Sequence, residues 1–126
     1  IRSNIETRKK YIEQPNERRK IMEDRINGRK YNTDTARYVG EYYGNDDISS
    51  FYYFHEELYK KLTGEFFIYG EGGAATEYSE HFEDGSSRGS CKIVPISTEE
   101  AKEWTLAHAK ERYKLFFGEY PEEKEQ

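Results

Sequence analysis

Residues 51–69 read FYYFHEELYKKLTGEFFIY, and this stretch decides the fold. It contains two runs rich in aromatic residues, 51–60 and 65–69, which are separated by a short segment around Leu62 and Thr63. Such runs on either side of a short turn predict an antiparallel β-hairpin. Because aromatic residues fall on both faces of this hairpin, we expect a small sheet that is covered on each side. With Leu62-Thr63 as the turn, the register pairs Lys60 with Glu65, Tyr59 with Phe66 and Leu58 with Phe67.

The C-terminal third of the chain predicts an edge strand and a capped helix. Residues 91–96 form the strand, which lies at an edge because Pro95 has no N–H to donate to a neighbouring strand. Ser97 and Glu100 have the spacing of a capping box, which opens a helix that reaches about residue 117 and ends at Gly118. Residues 83–90 are turn formers and are expected to be a loop. The fold class is therefore α+β, a small antiparallel sheet of a central hairpin plus an edge strand, with flanking helices.

The N-terminal third predicts one tight turn with helices around it. The dipeptide Asn27-Gly28 is the usual signal for a two-residue hairpin turn, here with very short strands. Before it, a capping box at Ser3 and Glu6 predicts a helix that Pro15 interrupts, and a second helix is expected over 16–25. A third helix is expected to start at Asn32 or Thr33 and to end at Gly44, carrying Ala36, Val39 and Tyr43 on one face.

Composition indicates one aromatic-cored domain with an uneven distribution of charge. The 126 residues have a net charge of −5 and include 12 Tyr, 7 Phe and 1 Trp, more aromatic residues than a disordered chain carries. Residues 1–31 have a net charge of +5 and the remainder of −10. We expect a basic helical extension or linker over 1–24, an α+β domain over 25–118 and an acidic flexible tail over 119–126.

The compartment is expected to be the cytoplasm. No run approaches the roughly 20 apolar residues that a membrane helix needs. The single Cys91 has no partner for an internal disulfide, which gives no sign of an oxidising compartment. The sequence predicts no membrane contact and indicates neither a cofactor nor an oligomeric state.

A glycine-rich segment follows the second strand of the hairpin. Residues 70–75, GEGGAA, match the loose form of the dinucleotide-binding fingerprint. That fingerprint requires a parallel β-α-β unit, whereas this segment follows an antiparallel hairpin, so we reject nucleotide binding. The glycines instead indicate a backbone that needs positive φ or close approach. We expect the segment to present Tyr69 and Glu71 outward.

The catalytic candidates are His55, Glu57 and Glu71. His55 and Glu57 project from the same face of a strand, and the hairpin brings Glu71 near them. A histidine beside carboxylates can carry out acid–base chemistry. The competing interpretation is a solvated strand face. The chain has three histidines, no cysteine pair and no H-x-x-x-H spacing, so the sequence predicts no metal site.

Two further groups are binding candidates. The chain has more tyrosines than a core of this size can satisfy, which indicates either a recognition surface or rings half-buried around a small core. The basic segment can follow a nucleic-acid backbone, or it can be a solvated amphipathic helix. The partner-binding candidates are Tyr53, Tyr69, Glu71, Tyr78 and Arg88. The nucleic-acid-binding candidates are Arg18, Arg19, Lys20, Arg29 and Lys30.

Three segments carry a resemblance to a known family: RINGRKYNTDTA at 25–36, ELYKKLTGEFFIYGEGG at 57–73, and PIS at 95–97 followed by Glu99, Glu100, Ala101 and Trp104. They resemble a small domain carried by plasmids, conjugative elements and phages of low-GC Gram-positive bacteria. Some bearers of this domain are similar to the anti-CRISPR proteins that disable type II CRISPR effector nucleases. The resemblance covers about residues 22–117.

The resemblance implies a role on a mobile genetic element in the cytoplasm of a bacterial host. It also implies that the partner is a type II CRISPR effector nuclease, alone or with its guide RNA. An acidic, tyrosine-rich surface suits the positively charged channel that such an effector keeps for nucleic acid. The preferred expectation is an inhibitor that acts by binding. Two alternatives stay open: a ribonuclease that trims guide RNA, and a non-enzymatic nucleic-acid-binding accessory protein.

Overall fold

A computed structural model describes residues 8–14, 17–44 and 51–121, and the side chains of 21–44 and 51–121. In these ranges the elements are β1 (Arg8–Gln14), β2 (Glu17–Ile26), β3 (Arg29–Asn32), β4 (Arg37–Tyr43), β5 (Phe54–Lys60), β6 (Phe66–Gly72), β7 (Glu80–His81), β8 (Ser87–Arg88), β9 (Ser90–Ile96), α1 (Thr98–His108), a 3₁₀ turn (Lys110–Arg112) and α2 (Tyr113–Phe117).

The central feature is a four-stranded antiparallel sheet with the order β4-β5-β6-β9. The strands β1, β2 and β3 form a second antiparallel sheet, and β7 pairs with β8. The predicted α+β class is confirmed, and β9, which contains Pro95, lies at an edge as expected. The predicted loop over 83–90 contains the short strand β8. In the described part of the chain, no helix is long and apolar enough to span a membrane.

The hairpin β5–β6 is confirmed, but its predicted register is wrong by one residue. Tyr59 pairs with Phe67, and Leu58 pairs with Ile68. The turn contains three residues because Gly64 adopts a φ of 101°, and the N–H of Lys61 donates to the carbonyl of Glu65 at 2.7 Å. A left-handed glycine at the end of a three-residue turn is a common hairpin connection.

The sheet is covered on both faces, as predicted. One face packs on the helices in a cluster of Val39, Leu58, Phe66, Ile68, Ala101, Trp104 and Ala109. The opposite face packs on β2 and β3 in a cluster of Met22, Tyr31, Tyr59, Phe67, Tyr69 and Ile93. Side chains alternate between the two faces along each strand, so the register decides which residues meet.

The helices predicted before residue 26 are wrong where the structure describes them, because β1 and β2 are paired strands. Asn27 and Gly28 have φ values of 52° and 79°, as the predicted two-residue turn requires. This turn sends β3 back along β2, and the buried side chain of Met22 packs into the second cluster. Non-local pairing and burial therefore outweigh the local helix signals. The capping box at residues 3 and 6 and the tail beyond residue 121 lie outside the described residues.

The helix predicted over residues 32–44 is also wrong, because this segment contains β4. The prediction at the C-terminus is confirmed at both ends. Ser97 accepts from the N–H of Glu100 at 3.0 Å, the side chain of Glu100 accepts from the N–H of Ser97 at 2.9 Å, and Gly118 has a φ of 88°. Between these ends the helix is interrupted at Ala109, whose φ of −146° is not helical.

Candidate functional site

One end of the β2-facing side of the sheet carries a group that we call the acidic cluster: Glu41, His55, Glu57 and Glu71. His55 and Glu57 lie on β5, Glu41 lies on β4 and Glu71 lies on β6. The register pairs Glu41 with Glu57 and His55 with Glu71 across neighbouring strands. The three catalytic candidates therefore meet, and Glu41 joins them.

A β-bulge places Glu41 in this cluster. The pairing of β4 with β5 shifts between Tyr38, which is opposite Tyr59, and Gly40, which is opposite Leu58. Val39 is the extra residue, and it packs in the helix-side cluster. Without the bulge, regular pairing continued from Tyr38 would place Glu41 opposite Glu56, on the helix side of the sheet. The sequence pattern did not indicate Glu41, because the spacing of apolar residues in this segment favoured a helix.

His55 lies beneath the three carboxylates. Its side chain is 9% exposed, whereas that of Glu41 is 43% exposed. The Nε2 atom is 2.9 Å from Glu41 Oε1 and 3.8 Å from Glu57 Oε2. The Nδ1 atom is 3.7 Å from Glu71 Oε2. Both ring nitrogens of one buried imidazole therefore face carboxylate oxygens.

The carboxylates control the protonation of this histidine. Burial by itself would lower the pKa of His55, but the hydrogen-bonding and charged carboxylates of Glu71, Glu41 and Glu57 outweigh it and raise this pKa above its ordinary value. The ring of Tyr43 stacks on the imidazole with a centroid distance of 4.2 Å. The arrangement favours a positively charged ring held between negative charges.

Tyrosine hydroxyls orient the carboxylates. The hydroxyl of Tyr59 donates to Glu57 Oε1 at 2.7 Å, and that of Tyr69 donates to Glu71 Oε1 at 2.8 Å. Burial and the charge of Glu71 raise the pKa of Tyr69, so its hydroxyl stays protonated and remains a donor. The acidic cluster is thus a preorganised set of oxygen acceptors.

The opposite side of β5 contains a structural network around Glu56. Its carboxylate accepts from the hydroxyl of Tyr78 at 2.6 Å and from the indole N–H of Trp104 at 2.8 Å. The ring of Tyr78 lies against Gly70, where a Cβ would overlap it. Close approach, not positive φ, therefore explains Gly70 and in the same way Gly72, whose Cβ would meet Thr76 and the backbone of Tyr53.

Burial corrects two of the partner-binding candidates. Tyr69 and Tyr78 are each only 2% exposed, so the expectation that Tyr69 points outward is wrong, and neither ring is available to a partner in this structure. Tyr53 is half-buried, and Arg88 is exposed and pairs with Glu80 at 3.2 Å. Three exposed aromatic residues lie on or shortly before the strands that carry the acidic cluster, and we call them the aromatic rim: Tyr43 on β4, which stacks on His55, and Phe51 and Tyr52, which shortly precede β5.

The nucleic-acid-binding candidates are dispersed among acidic partners where their side chains are described. Arg29 forms an ion pair with Glu65, and Lys30 lies 3.5 Å from Glu23. The side chains of Arg18, Arg19 and Lys20 lie outside the described residues.

Comparisons with protein families, with curated proteins and with solved structures gave no match.

Proposed function

We propose that this protein is a non-catalytic inhibitor from a mobile genetic element. It acts in the bacterial cytoplasm and binds a type II CRISPR effector nuclease, alone or with its guide RNA. The observation that carries the proposal is the acidic cluster, in which three neighbouring strands place carboxylates at one end of a sheet face beside exposed aromatic rings. The resemblance of the sequence to domains of Gram-positive mobile elements supports the choice of partner.

The charge of the acidic cluster supports a basic partner. Within the part of the chain whose side chains are described, the ion pairs of Glu41 and Glu57 both go to His55. Neighbouring strands are about 4.8 Å apart, so the carboxylates form a dense row of negative charge. A channel that binds the backbone of an RNA–DNA duplex presents positive charge to such a row. Attraction of this kind accelerates association and orients the partners.

The aromatic rim supports a protein partner over a small ion alone. Tyr43 is 51% exposed and covers His55, and Phe51 and Tyr52 are more exposed still. Stiff aromatic side chains with polar neighbours contribute much of the binding energy in protein interfaces. The rim and the acidic cluster together supply both an apolar anchor and charge complementarity.

A second candidate is a ribonuclease that trims guide RNA, and one observation favours it. The structure brings together His55, Glu57 and Glu71, the predicted acid–base residues. Three carboxylates around the imidazole would, however, repel the phosphate of an RNA substrate. We therefore prefer inhibition by binding.

The test is a DNA-cleavage assay with a purified type II effector and guide RNA, in which the guide is also examined on a denaturing gel. The key variant changes Glu41, Glu57 and Glu71 to Gln. A control variant changes three exposed glutamates elsewhere, Glu99, Glu103 and Glu119, to Gln, which alters the net charge equally. We expect wild type and control to inhibit cleavage with intact guide RNA, and the key variant to lose inhibition. Inhibition by the key variant would contradict the proposal. Guide RNA that is shortened only when His55 is present would support the ribonuclease.

A further inference from the structure

The acidic cluster contains a mixed set of donor atoms that is spaced for a metal ion. One ring nitrogen of His55 and one carboxylate oxygen each from Glu41 and Glu57 all lie within 4.8 Å of one another. An ion bonded at about 2.0–2.2 Å holds its ligand atoms roughly 3–3.5 Å apart. Two of the observed separations, 2.9 Å and 3.8 Å from Nε2, lie within a few tenths of an ångström of that range.

The imidazole has the surroundings of a metal-binding histidine. It is nine-tenths buried, and its Nε2 faces the oxygens of Glu41 and Glu57. Its other nitrogen, Nδ1, lies 3.7 Å from Glu71, a carboxylate outside the three-residue donor set. Histidine ligands commonly direct their second nitrogen to a carboxylate, which sets the orientation of the ring. The hydroxyl of Tyr59 orients Glu57 in the same way.

The backbone also aligns the donors. The bulge at Val39 directs Glu41 to the side of the sheet that carries His55 and Glu57. Bulges are frequent beside functional sites because they change the direction of one side chain. The exposed position of Glu41 leaves room for water or another ligand on the solvent side.

We propose that Glu41, His55 and Glu57 bind a divalent first-row transition ion. One imidazole with two carboxylates suits Zn²⁺ and, more weakly, Mn²⁺, whereas Mg²⁺ and Ca²⁺ prefer oxygen ligands throughout. Ligation occurs through the lone pair of Nε2, so binding releases the proton of this nitrogen. The site does not depend on the proposed partner. Bound metal would also neutralise part of the acidic cluster.

The first test is a calorimetric titration of the EDTA-treated, 126-residue protein with Zn²⁺ alone. In a second experiment, Mn²⁺ is added to the metal-free protein and its binding is measured by electron paramagnetic resonance. We expect one ion per chain, with Zn²⁺ tighter than Mn²⁺. Glu41→Gln and His55→Gln should each weaken Zn²⁺ binding about tenfold or more. The matched controls, Glu103→Gln on α1 and His81→Gln on β7, should bind like wild type. Circular dichroism establishes that each variant is folded.

The exposed position of Glu41 makes its variant the decisive one, because its loss leaves the core intact. Absence of binding at one ion per chain would overturn the proposal. Equal binding by wild type and folded Glu41→Gln would also overturn it, as would equal weakening by the His81→Gln control. Displacement of the Mn²⁺ signal by Zn²⁺ would support one shared site.

Discussion

The contact between Gly70 and Tyr78 gives the sharpest stability prediction. Gly70→Ala places a Cβ where the ring of Tyr78 now lies, so the ring must leave its position against β6. Tyr78 is buried, and its hydroxyl donates to the carboxylate of Glu56 at 2.6 Å. The substitution therefore removes a buried aromatic side chain and a charge-assisted hydrogen bond together.

The magnitude follows from these two losses. Exposing a large apolar side chain costs about 1.5–3 kcal/mol. Losing a hydrogen bond to a charged group costs about 1.5–3 kcal/mol. Replacing glycine by alanine within a strand by itself stabilises the fold by roughly 0.5–1 kcal/mol. Summed, these ranges predict that Gly70→Ala lowers the free energy of unfolding by about 2–5.5 kcal/mol.

Urea denaturation followed by circular dichroism measures this loss, and a double-mutant cycle isolates its cause. Tyr78→Phe retains the ring and should lose only the hydrogen-bond share, about 1.5–3 kcal/mol. With Tyr78→Ala already present, Gly70→Ala should be neutral or stabilising, because the three atoms nearest to the new Cβ all belong to the side chain of Tyr78. An equal cost of Gly70→Ala in both backgrounds would refute the reasoning.

Three further predictions concern packing, capping and pH. Gly40→Ala should destabilise the fold, because the new Cβ would lie 2.7 Å from the Cβ of Ala109. In thermal melts, adding Ala109→Gly should partly restore stability, and failure of this rescue would contradict the packing. Ser97→Ala should lower the free energy of unfolding by about 1 kcal/mol through loss of the α1 cap, measured in urea; an unchanged midpoint would disprove this role. In metal-free protein the pKa of His55 is higher in the folded state than in the unfolded state. The protonated ring therefore contributes fully to stability below about pH 6.5, and this contribution is lost as the pH rises through the folded-state pKa. Ring-proton NMR should show this pKa above 6.5, and a value at or below 6.5 would be incompatible with the prediction.

Local signals predicted one turn and both ends of the C-terminal helical segment correctly. Asn27-Gly28, the capping box at Ser97 and the terminating Gly118 each act through their own backbone or near neighbours, so their structural effect is visible in the sequence. The edge position of Pro95 follows in the same way from its missing N–H. These features explain why the α+β class was predictable.

Non-local effects account for the errors. The pairing of β1 with β2 and the burial of Met22 depend on distant residues, and they outweigh the local helix signals. The left-handed Gly64 lengthens the hairpin turn by one residue and so moves Glu71 to the face of His55. With the predicted register, Glu71 would have faced the helices. The three candidates lie close together in the structure, although the predicted pairing would not have placed Glu71 beside His55.

The bulge at Val39 is the clearest case of a site feature hidden from sequence. The spacing of Val39 and Tyr43 fits a helical period, but in β4 the bulge places these two side chains on opposite sides of the sheet. Only the pairing with β5 reveals that Glu41 shares a face with His55. The burial of Tyr69 and Tyr78 could not be predicted from the sequence either. The number of tyrosines does not distinguish an exposed recognition surface from rings that are buried around a small core.

The most direct test of the central claim is the affinity of the purified protein for a type II CRISPR effector, measured by calorimetry with and without guide RNA. The account predicts binding in at least one of these states. It also predicts that changing Glu41, Glu57 and Glu71 together to Gln weakens binding by about tenfold or more, while the control variant of Glu99, Glu103 and Glu119 binds like wild type. Absence of binding in both states, or equal affinity of wild type and the folded triple variant, would contradict it.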